Sequence, residues 1–302
     1  MSSADSKQFI VSSLSLLVGI LTALLPTQSP AQQATNGDPP PTRDPKEIVR
    51  RAVEINSSAA ELSRNYTYQR HEVKKHLGPC GEVKSSYAKT WDVTNLYGEP
   101  YSRLIEWNGK PLSERSEKRE EEKLERFFDN LKDESEEHRQ RRQAKERKQR
   151  DKERAFFRDV VNAYDFHLVG EEVVDAREVW VIEATPAEDF HPTQPYANFL
   201  PKLKGKVWID KQDYTWVKVE AEAITTIPLG LFVARIHKGT RFGAEQTRLN
   251  DEIWLKRRFY VEANARVLLI SNRGVELEDT FSNYRKFSTK TKILPGAQEV
   301  EK

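Results

Sequence analysis

Of the 302 residues only one, Cys80, is a cysteine and only one is a methionine. A single thiol excludes an internal disulfide framework and any paired-cysteine metal or redox motif. It also leaves no cysteine beside the N-terminal apolar segment to accept a lipid. An excess of one charge sign is missing as well. The 49 basic and 47 acidic side chains nearly cancel, to a formal +2, so the net balance does not call for nucleic acid or an anionic membrane as partner. No Gly-x-Ser-x-Gly turn and no phosphate-cradling glycine loop occurs. Carboxylates are so numerous that pairing two of them for acid–base work would be arbitrary. These absences leave no catalytic residue, no metal ligand and no cofactor to expect, and they point away from an enzyme.

The one long apolar run lies at the start, over residues 9–25 (FIVSSLSLLVGILTALL), after a weak positive start at Lys7. Small residues follow at Ser29-Pro30-Ala31, where signal peptidase would read them. The run is short and serine-containing for a bilayer core of about 30 Å. Residues 1–31 are therefore expected to be a cleavable signal peptide. Residues 32–44 are polar and Pro-rich, a linker that cannot pack. With about 270 residues left and no disulfides, the mature chain must build a conventional core, which this length permits. That economy of cysteine suits a bacterial periplasm at least as well as an extracellular space.

Asp44-Pro45 opens a helix, the aspartate as cap and the proline at the first helical position. Ile48, Ala52, Ile55, Ala59 and Leu62 then recur at steps of three and four, one apolar stripe on a charged helix. Residues 66–107 alternate as strands, with turns at Gly78-Pro79-Cys80-Gly81 and Asn108-Gly109. Residues 113–158 differ. Glu, Lys, Arg and Gln dominate, without glycine or proline, and only Leu124, Phe127, Phe128 and Leu131 give a short apolar stripe. This segment is expected to be a charged helical insertion, as a projecting helix or a helical hairpin. Strands return from Tyr164. In TWVKVEAEA, Val217, Val219, Ala221 and Ala223 are expected on one dry face, with Lys218, Glu220 and Glu222 on the other. Strands joined by short turns rather than crossover helices define the fold class. It is α+β and mainly antiparallel β, a curved open (half-closed) barrel with packing helices plus the long charged helix. The folded unit is expected to run over residues 45–290, with 291–302 as a flexible tail.

Several residues invite a chemical reading and lose it on spacing. His71-Glu72 and His76 stand one residue too far apart for a zinc-protease helix, and on a strand they point to opposite faces. Cys80 sits in a turn with no base beside it except, at some distance, Lys75 and His76. The basic stretch 138–154 has interspersed acids and no interleaved aromatics, which argues against nucleic acid. A solvated helix is its plain reading, with an anionic membrane or an acidic partner as the alternative. The segment 224–233 (ITTIPLGLFV) is apolar and broken by Pro228 and Gly230. It is either a connection tucked into the core or an apolar flap over a cavity. The candidate lipid-contacting residues are Ile224, Ile227, Leu229, Leu231, Phe232 and Val233 there, with Trp180 and Trp208 on nearby strands.

The order FHLVGEEVV (166–174), VWVIEATP (179–186), GKVWID (205–210) and WVKVE (216–220), closed by FSNYRKF (281–287), resembles the LolA-like proteins. These comprise periplasmic lipoprotein carriers, the RseB type and mycobacterial lipid-binding lipoproteins. The resemblance covers roughly residues 44–112 and 160–290, and the insertion 113–158 is not part of the family pattern. It implies an unclosed antiparallel barrel with an apolar concave side, plugged by helices, that holds acyl chains in a periplasm. The expected function is non-catalytic binding of lipid or lipoprotein acyl chains, similar to outer-membrane lipoprotein sorting. The alternative is a sensor or scaffold that contacts a protein partner, or a membrane peripherally, through the charged helix.

Overall fold

The computed structural model describes residues 43–58, 65–96, 99–132, 135–194, 197–229, 234–267 and 271–286. Thirteen strands follow the alternating stretches of the sequence. β1 (Tyr66–Leu77), β2 (Val83–Leu96), β3 (Glu99–Trp107) and β4 (Lys110–Pro111) precede the charged segment. After it come β5 (Tyr164–Val174), β6 (Arg177–Pro186), β7 (Leu203–Asp210) and β8 (Trp216–Ala223). The short β9 (Ile227–Leu229) and β10 (Ala234–Ile236) follow, and β11 (Arg241–Leu249), β12 (Ile253–Val267) and β13 (Ser271–Lys286) complete the set. Eleven of them form one sheet in the order β4-β3-β2-β1-β13-β12-β11-β8-β7-β6-β5, and β9 pairs only with β10. Every pairing is antiparallel. Strands β4 and β5 sit at opposite edges without pairing, so the sheet is open, as the α+β reading required.

Turn chemistry explains the tight links. Asn108 and Gly109 hold φ of 51° and 70° between β3 and β4, the left-handed pair that Asn-Gly adopts at least cost. Asp175 and Ala176 do the same between β5 and β6 at 46° and 62°, where alanine gives no such signal. After β7, the buried Asp210 carboxylate accepts from the amides of Gln212 and Asp213 at 2.9 and 2.7 Å and from Arg177 Nη2 at 2.7 Å. The aspartate that ends GKVWID is thus the organiser of a turn.

Registry assigns the faces. Trp180 pairs with Ile209, and Val181 pairs with Trp208. Trp180, Ile182 and Ile209 join the main core on the inner, helix-covered face; Val179, Val181, Trp208, Val217 and Trp254 pack together on the outer face. A register shift between Trp208 and Ile209 puts Val217 among the outer set, while Val219, Ala221 and Ala223 stay inside. The expectation of one face for all four β8 residues holds for three of them.

Three α-helices are described. α1 (Pro45–Ser58) starts where its cap placed it: the Lys46 amide donates to Asp44 Oδ1 at 3.1 Å, and that of Ile48 to Asp44 O at 3.0 Å. Ile48, Val49 and Ala52 are buried on the sheet; Ala59 and Leu62 lie outside the described residues. The charged segment is two helices, α2 (Glu114–Lys132) and α3 (Glu136–Ala163). α2 lies along β3. Its buried Glu120 accepts from the Leu104 amide at 3.3 Å, and Phe127 packs on Tyr101 with ring centroids 5.0 Å apart. Because β4 and β5 are opposite edges, α2 and α3 carry the chain across the width of the sheet. α3 does not stay solvated. Its end, from Ala155 to Ala163, is largely buried.

Candidate ligand-binding site

The inner face over β5–β8 is not filled. α1, the end of α3 and the segment around Phe199 stand off the sheet around a cavity of ≈ 150 Å³. Val49, Ala52 and Val53 come from α1, and Phe156, Phe157 and Val160 from α3. Phe199, Leu200 and Leu203 close one side, and Phe166, Ala184, Val207, Ile209, Trp216 and Val219 form the floor. Lys204, Lys206 and Glu220 border it from strand positions that alternate with the inward Gly205 and Ala221. An apolar cavity of this size can stay dry and take a benzene-sized guest.

Gly205 belongs to that floor for a steric reason. A Cβ on Gly205 would meet the carbonyl oxygen of Glu220 on the next strand, so a side chain there requires β7 and β8 to shift. Ala184 pairs directly with Gly205, and both small residues keep the floor open. The walls are fixed by polar anchors behind them. Asp159 on α3 is buried and accepts from the Thr193 amide at 3.1 Å, Thr193 Oγ1 at 2.8 Å and the Gln194 amide at 3.2 Å. The Tyr164 hydroxyl donates to Leu200 O at 2.9 Å, and burial pushes its pKa up, so it remains a donor.

The residues singled out from sequence are not brought together here. Trp180 packs in the main core with Tyr214, ring centroids 5.2 Å apart, and is not among the residues that line the cavity. Trp208 lies on the outer face, where its Nε1 donates to Glu172 at 2.9 Å and Lys218 sits 4.4 Å from its ring centroid. Ile227 is buried in the main core beside Ile236, and Ile224 is half-buried, its amide donating to Lys202 O at 2.9 Å. Leu229 ends β9, and Leu231, Phe232 and Val233 lie outside the described residues. Of the described part, 224–229, Ile227 is buried, whereas Thr225, Thr226 and Pro228 are exposed. What the sequence reading missed is the contribution of α3. The run AFFRDVVNA at its end was the available signal, hidden behind a long basic stretch.

The same inner face changes character towards β1, β2 and β13. Arg70 Nε and Nη2 donate to the two oxygens of Asp279, each at 2.9 Å, and Nη2 also reaches Glu72 at 3.0 Å. The Asp279 side chain is 2% exposed. Burial raises its carboxyl pKa against the pull of Arg70. Lys256 sits 5.8 Å from the Phe281 ring centroid, and burial, then the charge of Arg70, bring it from 10.5 to about 8. Lys89 lies between the rings of Trp107, Tyr87 and Trp91, at 4.9, 5.0 and 5.7 Å from their centroids. Arg70, Glu72 and Asp279 are thus joined by hydrogen bonds, while Lys89 and Lys256 lie against aromatic rings.

His71 and His76 fall on opposite faces of β1. His71 Nδ1 meets Thr90 Oγ1 at 3.0 Å, and Thr90 donates on to Glu106 at 2.8 Å. Among the described residues no group of three or more His, Cys, Asp or Glu side chains is placed to hold a metal ion, and no helix is long and apolar enough to cross a membrane. Cys80 is exposed in its turn.

Fold and face together define a class: an α+β protein built on a single large open antiparallel sheet, helices on its inner side and an apolar space between them. No protein-family model matches the chain, and no curated protein does. Among solved structures it is similar to a LolA superfamily protein from Nitrosomonas europaea at 10% identity, covering 82% of this chain and 94% of that one, with a TM-score of 0.26. It is also similar to a putative outer membrane lipoprotein-sorting protein domain from Vibrio parahaemolyticus (12% identity, 81% and 95% coverage, TM-score 0.30). A third is the complex structure of Pseudomonas aeruginosa MucA/MucB (12%, 82% and 100%, 0.21).

Proposed function

We propose that this chain is an exported, periplasmic protein that binds lipid or lipoprotein acyl chains without catalysis, in the manner of lipoprotein sorting. The observation that carries the reading is the ≈ 150 Å³ apolar cavity between α1, α3 and β5–β8. It holds space for roughly six carbons, by comparison with a cavity of similar size that takes benzene. At about 0.8 kcal/mol per buried methylene, six contribute about 5 kcal/mol before association costs, an affinity no better than about 0.2 mM. A full-length acyl chain binds tightly only if α1 and α3 draw away from the sheet, so affinity should climb steeply with chain length once the helices part. The N-terminal segment, a signal peptide in this reading, brings the protein to the compartment where such chains are exchanged.

Titration with a fluorescent fatty acid, together with native mass spectrometry of the purified protein, tests the proposal. Saturable binding and co-purifying lipid are expected, with Ala184→Leu reducing affinity at least tenfold while the fold is kept. Leucine there grows into the cavity opposite Gly205. Binding that survives Ala184→Leu unchanged, or no binding by any chain length, would overturn the reading.

A further inference from the structure

Between His138 and Arg154, α3 carries nine basic and three acidic side chains, although the whole protein has a formal charge of only +2. The positive charge is therefore local. Arg141, Lys145, Lys148 and Lys152 recur at steps of four, three and four, so they line one side of the helix over about 17 Å. All four are exposed, Arg141 in an exposed ion pair with Glu137 at 2.6 Å. Glu146, Asp151 and Glu153 fall off that line on the helical wheel. The next turns of the same side carry Phe156, which lines the apolar cavity, and then Asp159, which clamps the neighbouring segment. One face of one helix thus passes from a basic stripe to the wall of an apolar space.

From this we infer that α3 docks the protein on an anionic lipid surface. An acidic protein would satisfy the charge equally well, but the composition argues against it. Ala144 is the only apolar residue between His138 and Arg154, and there is no aromatic residue among them. Specific protein interfaces centre on buried aromatic or apolar anchors and are poor in lysine. A lysine-rich stripe without anchors matches a diffuse anionic surface, which attracts each cation within a Debye length. Docking there places the cavity wall two turns from the surface that supplies acyl chains. The choice of lipid as partner rests on the function proposed above; the docking itself does not require an occupied cavity.

The test is co-sedimentation of the full chain with vesicles of pure phosphatidylcholine and of phosphatidylcholine with 30% phosphatidylglycerol. Binding is expected to the anionic vesicles alone and to fade by about 0.5 M salt, where screening is near complete within a few ångströms. Each charge removed should weaken it about fivefold. Replacing all four (Arg141→Gln, Lys145→Gln, Lys148→Gln, Lys152→Gln) should weaken it by about 100-fold or more, with helix content unchanged by circular dichroism. Removing the same number of charges from α2 (Arg115→Gln, Lys118→Gln, Arg119→Gln, Arg126→Gln) should leave it within about threefold. Equal binding to both vesicle types, or equal loss in the two variants, would overturn the proposal. So would failure on anionic vesicles with salt-sensitive binding to poly-L-glutamate, which would assign the stripe to an acidic protein. Fatty-acid titration of the α3 variant without vesicles keeps the two readings apart: it should match the unaltered chain whatever the vesicles show.

Discussion

Over β5–β8 the inner face of the sheet carries Trp180, Ile182, Ile209 and Trp216 under α1, whereas over β1, β2 and β13 it carries Arg70, Glu72, Lys89 and Asp279. The two stretches belong to one sheet and share one core through Phe259 and Phe281. They differ in what a gap would cost. Where every lining group is apolar, an empty space forfeits only dispersion contacts and leaves no donor or acceptor stranded. Where a buried carboxylate holds a guanidinium, each group depends on its partner staying within hydrogen-bond reach. Unfilled space therefore belongs to the apolar stretch, and rigidity to the charged one.

The comparison can be broken by cutting each stretch in turn. Phe156→Ala removes a buried ring from the cavity wall and should destabilise the protein by about 4 kcal/mol. The enlarged space should at the same time accept fatty acids several carbons longer, as denaturant melts paired with chain-length titrations will show. A loss of stability with no change in preferred chain length would mean that the wall simply collapses. Asp279→Ala should cost about 3 kcal/mol in denaturant unfolding, because Arg70 keeps a third of its side chain in solvent and is only partly stranded. Here fatty-acid affinity should not move. If it does, the charged stretch is coupled to the cavity and the division fails.

A smaller effect is readable through pH. Lys256 has a folded pKa of about 8 and an unfolded one near 10.5, so between these values the unfolded chain binds more protons and stability rises with pH. The burden of the buried charge is fully present below pH 8 and is relieved on the way to pH 10, by on the order of 2 kcal/mol after allowing for partial solvent access. Above pH 10 the tyrosines act oppositely, since burial raises Tyr164 and Tyr284 above their ordinary value. Urea midpoints from pH 7.5 to 10 should climb in the native chain and stay flat in Lys256→Met. A falling midpoint in the native chain would show that Lys256 is solvated.

Much of the fold was legible because alternation and turn chemistry are local. The Asp44-Pro45 helix start, the Asn108-Gly109 turn and the strands around Trp180 and Trp208 all follow from neighbours in sequence. What stayed hidden depends on pairing. Nothing in VWVIEA or KVWID tells that Trp180 meets Ile209 and Val181 meets Trp208, and that registry alone sends the two tryptophans to opposite faces. The shift that turns Val217 outward is equally silent, because a β-bulge is defined by the partner strand. The cavity wall escaped for another reason. Phe156, Phe157 and Val160 end a helix whose preceding turns are all charge, and that charge dominates any window that contains them.

The route of α2 and α3 from one edge of the sheet to the other has a mechanical consequence. Eleven strands set their outer members about 48 Å apart if laid flat, at about 4.8 Å per strand, and curvature brings the edges closer. A rod of 28 residues, about 42 Å long, anchored at β5 and reached through a helix anchored on β3, acts as a tie-bar across an arch. Its length limits how far the arch can flatten, and its stiffness how readily the two feet approach. Removing whole turns from α3 would tighten the curve, and a flexible splice in its middle would slacken it. A helix that by composition looks like an ornament is, by its place in the chain between β4 and β5, a structural member of the arch.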